Sequence, residues 1–272
     1  MPRIVIQGIE GSFHHRAARK LFGDSAQIIP GRYFSDIPAL LHAGRADYGI
    51  MAIENSTAGS ILPNYLLIDE NDLWISGEVY LDIRHQLMGL PGTSLSEIKE
   101  VWSHPMALLQ CGKFFKEHPA MLRIEYEDTA AAARDIARKG HPGIAAIAPD
   151  LAADIYGLEI LARDIQDESL NATRFVLLEK KPPRPRTEGS KISLRLEAEH
   201  RPGSLLRLLE VFDEARWNMT KIQSLPIPAR PWEYAFFVDA VYDDPAMVPD
   251  VLEKLRQAAK RVKILGIYQN QQ

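Results

Sequence analysis

The 272-residue chain is 46% hydrophobic and 25% charged, ordinary values for a globular protein with a sizeable core. Its formal net charge of −4 argues against nucleic acid as a main partner, and its single cysteine, Cys111, excludes an intrachain disulfide. No stretch approaches the ~18 apolar residues of a membrane span and no long apolar run follows Met1, so neither a membrane partner nor a signal peptide is expected, and a cytoplasmic setting fits.

Ile4–Gln7 predicts a strand, and a helix runs from the end of Glu10-Gly11-Ser12-Phe13 to Leu21. Ser12 fits either a helix cap or a substrate contact, and without GxGxxG no dinucleotide site is expected. His14 and His15 point about 100° apart on such a helix and make no metal site. Tyr48–Ile53 predicts a strand ending in Glu54-Asn55-Ser56-Thr57-Ala58-Gly59-Ser60, with a helix over Ile61–Asp69. Asn55, Ser56 and Thr57 suit a helix cap, and with Gly59 and Ser60 they equally suit an anion site built on backbone N–H groups.

Gln86–Leu90 and Val101–Trp102 predict short strands, and Ser103-His104-Pro105 opens a helix over Pro105–Glu117 that carries Gln110. Pro105 holds His104 away from α geometry. Cys111, in a helical context, reads as a packing residue. Thr129 begins a helix to Lys139 as a cap or a substrate contact. Ala145–Ala148 and Arg174–Leu178 predict strands, the second entered through Thr173-Arg174-Phe175. An apolar run ending in small hydroxyl and amide residues reads as a buried strand that opens into a ligand site. The Asn55 and Thr173 clusters would be two sides of one pocket. The alternation predicts α/β layers with mostly parallel sheets, which one doubly wound sheet or two lobes would satisfy.

Lys180–Gly189 holds three prolines and four basic residues and predicts a surface connector. It divides the chain into a first domain over 1–180, a linker over 181–190 and a second domain over 191–272. In the second, Lys191–Glu197 alternates as a strand with one solvated face. A helix over Leu205–Ala215, strands around Met219–Leu225 and Glu233–Tyr242, a helix over Val248–Lys260 and a strand over Lys263–Tyr268 follow. This βαββαβ order predicts a ferredoxin-like sandwich with both helices on one sheet face.

Taken in order, Glu10-Gly11-Ser12-Phe13, Ile53-Glu54-Asn55-Ser56, Ser103-His104-Pro105 and Thr173-Arg174-Phe175 make the chain resemble prephenate dehydratases, and its tail resembles the ACT regulatory domain of that family. The resemblance covers nearly the whole chain. It implies a two-lobed catalytic domain like a periplasmic binding protein, with passage to the second lobe near Glu78–Gln86 and return near Leu158–Asp164. The implied activity is decarboxylating dehydration of prephenate to phenylpyruvate, with no cofactor and no metal. The implied catalytic residues are Thr173, Arg174 and Phe175: a hydroxyl for the leaving oxygen, a carboxylate fork and an apolar wall. Asn55, Ser56, Thr57, Gly59, Ser60, Ser103, His104, Gln110 and Thr129 are the implied substrate contacts, with Glu54 in an orienting role.

The family's ACT domains pair and bind phenylalanine, which implies a dimer or tetramer and an L-phenylalanine effector. Their Gly-Ala-Leu motif reads Gly203-Ser204-Leu205 here, and their Glu-Ser-Arg-Pro reads Gln223-Ser224-Leu225-Pro226, after Asn218. Two charges are lost, so phenylalanine binding is expected to persist only if backbone groups hold the effector. The alternatives to the dehydratase reading are an arogenate dehydratase, for which no decisive acidic partner of the ammonium stands out, and a non-catalytic sensor of the same fold.

Overall fold

The structure is a computed structural model that describes residues 1–182, 188–227 and 230–271. The chain forms two compact units, one of Met1–Ser60 and Val79–Phe175, the other of Ile61–Glu78 and Val176–Gln272. The core of the expected connector, residues 183–187, lies outside the described residues.

The first unit opens with β1 (Arg3–Gln7), α1 (Phe13–Phe22), β2 (Gln27–Gly31), α2 (Asp36–His42), β3 (Tyr48–Asn55) and β4 (Gly59–Ser60). β1 pairs in parallel with both β2 and β3. Ile4, Val5, Ile6, Ile50 and Met51 are fully buried, as expected for a parallel sheet covered on both faces. Gly49 is obligatory for this packing: a Cβ there would lie 2.5 Å from Ile37 Cγ2 on α2. Ser12 caps α1 by accepting from the His15 amide, and basic Arg19 and Lys20 lie in the last turn.

α3 (Leu62–Glu70) and most of β5 (Leu73–Asp82) belong to the second unit. The first unit resumes with β6 (Gln86–Gly89), β7 (Glu100–Ser103), α4 (Pro105–Leu109), α5 (Gly112–Glu117), β8 (Leu122–Glu125), α6 (Thr129–Lys139), β9 (Ile144–Ala148), α7 (Asp150–Tyr156) and β10 (Glu159–Ala162), and its part of β11 (Ala172–Lys180) closes it. A five-stranded sheet, in the order β10-β6-β9-β7-β8, is parallel across β9-β7-β8 and antiparallel at β10-β6-β9. The alanines Ala130–Ala133 are all buried on α6. The cap of α6 is Asp128, whose carboxylate accepts from the Ala131 amide, and not Thr129, whose place is the first helical residue. Cys111 is fully buried between α4 and α5, its thiol pushed up to about 12 by burial, which suits packing and not nucleophilic chemistry.

The second unit adds β12 (Lys191–Glu197), α8 (Ser204–Glu214), β13 (Asn218–Pro226), β14 (Tyr234–Val241), α9 (Val248–Ala258) and β15 (Arg261–Tyr268). The strands lie in the order β13-β14-β12-β15 and all pair antiparallel. Ile192, Leu194 and Leu196 pack with Leu208, Phe212, Val251 and Leu255 from α8 and α9.

The other face of β12 corrects the expectation of a solvated surface, because Lys191, Ser193, Arg195 and Glu197 are all buried. β5 and α3 supply the partners of Lys191 and Arg195. Lys191 Nζ lies 3.0 and 3.1 Å from the two Glu78 carboxylate oxygens, and Arg195 Nε lies 2.7 Å from Asp69 Oδ2. Ser193 bonds Asp239 and Tyr268, and Glu197 accepts from Arg230 at 2.6 Å. Charges can occupy a sheet interior when each is paired and hydrogen-bonded. Among the described residues, no helix is long and apolar enough to cross a membrane.

Candidate active site

β3 ends at Asn55, and β11 begins beside it. The polar cluster after Asn55 forms a hairpin, with Glu54 opposite Ser60 and Asn55 opposite Gly59, and α3 starts only at Leu62. This corrects both local expectations of a helix start. The Thr57 and Ala58 amides do not stand open to an anion; both donate to Asn55 Oδ1, at 3.0 and 2.8 Å. Gly59 turns the hairpin at φ +82°, a conformation that favours glycine. Ser56 ties the hairpin to β11: its amide donates to Ala172 O at 2.8 Å, and its Oγ accepts from the Ala172 amide at 2.9 Å.

Backbone N–H groups can only donate, so the two bonds to Asn55 Oδ1 fix the orientation of its amide. Asn55 Nδ2 then donates to Thr173 Oγ1 at 2.9 Å and to Asn171 Oδ1 at 2.7 Å. Asn171 Nδ2 donates to Gln110 Oε1 at 3.2 Å, and His85 Nε2 lies 2.9 Å from the same oxygen. The chain His85–Gln110–Asn171–Asn55–Thr173 thus joins the ends of β3 and β11 to α4 and the start of β6. The expected meeting of Asn55 with Thr173 is present, and Gln110 joins it.

Thr173 is 7% and Arg174 3% exposed. Arg174 Nη1 lies 3.9 Å from Glu54 Oε2, so its guanidinium is drawn to an internal carboxylate. Phe175 is a core residue, its ring edge-to-face with His14 at 5.0 Å. Ser103 is fully buried and donates to Ile147 O at 2.6 Å, a tie between β7 and β9. His104 is exposed, non-helical (φ −60°, ψ 141°) and caps α4 by accepting from the Met106 amide.

A cavity of about 280 Å³ lined by Gly8, Gly31, Arg32, Glu127 and Asp128 opens at the ends of β1 and β2. A second, of about 260 Å³, is lined by Thr57, Ala58, Leu109, Gln110, Glu168 and Asn171, among others. Burial pushes the Asp128 carboxyl above its usual range, and a Cβ on Gly8 would lie 2.8 Å from Asp128 Oδ2. Asn171, His85 and Asp128 were missed in the sequence. An amide two residues before Thr173, just ahead of β11, is the signal that could have found Asn171. Among the described residues, no group of three or more His, Cys, Asp or Glu is placed to hold a metal ion.

In the second unit, a cavity of about 340 Å³ brings Ser204 and Leu205 together with His200, Glu233, Tyr234 and Phe236. Gly203, at φ +78°, sets the start of α8, and Ser204 Oγ donates to Arg201 O at 2.9 Å. Asn218, Gln223, Ser224, Leu225 and Pro226 lie on β13, paired with β14, and do not line that cavity. Leu225 is buried, and Gln223 Nε2 donates to Ser224 O.

The buried Asn55–Thr173 pair lies where two strand ends meet, a place where α/β folds build small-molecule sites. The family described as prephenate dehydratase matches residues 4–183. Arogenate dehydratase/prephenate dehydratase 1 of Arabidopsis thaliana is 36% identical over 284 residues, covering 98% of this chain and 71% of that protein. The prephenate dehydratase of Arthrobacter aurescens, solved in complex with L-Phe, superposes with a TM-score of 0.87 at 29% identity, covering 98% of this chain and 90% of that one. GqqA, described as a novel type of quorum quenching acylase, superposes with a TM-score of 0.88 at 29% identity, covering 98% and 97%. The chain belongs to the prephenate dehydratase family.

Proposed function

We propose that the protein is a prephenate dehydratase, converting prephenate and a proton into phenylpyruvate, carbon dioxide and water in the making of phenylalanine. The observation that carries this reading is the bond from Asn55 Nδ2 to Thr173 Oγ1. A hydroxyl oxygen that accepts from an amide keeps its own proton for another acceptor. Thr173 donates that hydrogen to the ring hydroxyl as it leaves. The bond from the ring to its carboxylate breaks as CO2 departs, and its electron pair moves through the diene to expel the hydroxyl and leave an aromatic ring. A threonine hydroxyl is a weak acid, so it contributes a positioned hydrogen bond and not full proton transfer, and the departing hydroxyl takes up the consumed proton from water as it leaves.

Gln110 and the hairpin residues Asn55–Ser60 shape the substrate side. Arg174, held beside Glu54, adds positive potential for a dianion. Phe175 supports the site through the core, and Ser103, His104 and Thr129 frame the helix starts around it.

The bilobed domain over 1–180, the linker over 181–190 and an ACT domain over 191–272 belong to the same proposal. The β13-β14-β12-β15 order and the cavity at the start of α8 support an ACT domain that binds L-phenylalanine and pairs copies into a dimer or tetramer. A cytoplasmic setting fits the biosynthetic role. A second reading, arogenate dehydratase, is favoured by Glu168 on the wall of the 260 Å³ cavity, where a carboxylate could face an ammonium.

The test is turnover of prephenate and arogenate by the purified chain. The proposal expects phenylpyruvate from prephenate, with a higher kcat/KM than for arogenate. Faster phenylalanine formation from arogenate would move the assignment to the second reading, and turnover of neither would leave the sensor reading.

A further inference from the structure

The amides at the site form a one-way chain. Its direction is set where the Thr57 and Ala58 amides donate to Asn55 Oδ1. Asn55 can then present only its Nδ2 to Asn171, which receives it on Oδ1. That turns the Asn171 Nδ2 toward Gln110, whose Oε1 must face it. Among the described residues, Gln110 Nε2 has no protein partner, and Gln110 lines the cavity beside Asn171. Asn171 is 3% exposed, too buried to be one more surface polar group.

We infer that Asn171 is a positioning residue that turns the Gln110 side chain so that its N–H groups, and not its carbonyl, face a carboxylate of the substrate. This rests on the dehydratase reading only for the identity of the carboxylate. A glutamine free to rotate would present either end; with its carbonyl outward it would repel an anion at hydrogen-bond distance. Asn171 removes that choice at no cost in net charge. The same geometry assigns His85 the tautomer protonated on Nε2, because Gln110 Oε1 can only accept. Its Nδ1 is buried without a partner among the described residues, and burial pushes the pKa of the ring down, which keeps it neutral.

The experiment has two arms. In the first, prephenate kinetics are measured for wild type, Asn171→Leu, Gln110→Leu and the double variant, with thermal melts as a folding control. Asn171→Leu is expected to raise KM about tenfold, the worth of one hydrogen bond to a charged group. The double variant is expected to match Gln110→Leu within about twofold, because Asn171 acts on KM through Gln110. Losses that multiply in the double variant would show independent structural roles and overturn the inference.

In the second arm, nitrogen NMR reads the tautomer of His85 in wild type and in Asn171→Asp. Aspartate cannot donate to Gln110, so the glutamine should turn its Nε2 inward and switch His85 to protonation on Nδ1. An Nδ1–H tautomer in wild type, or an unchanged Nε2–H tautomer in Asn171→Asp, would overturn the inference. This arm needs no turnover: a wild type inactive on prephenate would sink the dehydratase reading while the tautomers still decide the role of Asn171.

Discussion

His14 shows how one residue can govern the pH response of the fold. Its ring is buried between Phe34 and Phe175, its Nε2 accepts from the Ala52 amide at 3.3 Å, and burial pushes its pKa down to about 3. The unfolded chain would protonate it near ~6.5. Between those values the unfolded state binds more protons, so stability falls as the pH drops, by about 1.4 kcal/mol per pH unit for this group. Above ~6.5 its contribution is constant. Half-buried His15 and buried His85 are also pushed down and add to the wild-type slope. Urea unfolding of wild type and His14→Gln at pH 7, 6 and 5 isolates His14: the difference should grow smaller as pH falls, and a constant difference would contradict it. Asn55 and Thr173 were legible in the sequence because each stands at the mouth of an apolar run, Asn55 after one and Thr173 before one. The burial of His14 and the role of Asn171 were not, because both depend on partners distant in sequence, and Asn55 lies 116 residues from Asn171.

Among the elements, β12 marks the limit of pattern reading. Its alternation correctly separates an apolar face from a polar one. It cannot say whether the polar face is covered, and here the cover comes from residues 61–78, with Glu78 lying 113 residues from Lys191. Lys191→Met should cost about 3–5 kcal/mol by stranding the fully buried Glu78. Lys191→Met/Glu78→Leu should recover most of that loss, since an apolar pair of similar volume suits the interior. Denaturant midpoints would show it; a double variant no more stable than the single would contradict this account of the pair. The strands and helices with strong periodicity were legible to within a few residues. β8 was not: its residues are mostly exposed and lack alternation. β5 was not either, because both its faces are largely buried around Gly77, which blurs the period-two signal.

For the molecule as a whole, the chain order of elements and the order of the motifs pointed to the family, but the linker did not mark where the compact units divide. Residues 61–78, far upstream of it, belong with the C-terminal unit. A proline-rich run in a sequence carries no signal of which distant segment packs onto the domain that follows it. The proposed effector site tests this scale. If backbone groups around Gly203–Leu205 hold L-phenylalanine despite the uncharged Gln223 and Leu225, calorimetry at millimolar effector should show saturable heat, and the melting temperature should rise with effector concentration. Absence of both would show that the lost charges abolished effector binding.

The central claim is that Asn55 frees the hydroxyl proton of Thr173 for the leaving group. The direct measurement is phenylpyruvate formation from prephenate by wild type, Thr173→Ser and Thr173→Ala, each shown to be folded. The account predicts a loss of at least about 100-fold in kcat for the alanine variant, with most activity kept by serine, as expected for a hydrogen bond strengthened in the transition state. An alanine variant within a few-fold of an active wild type would contradict it.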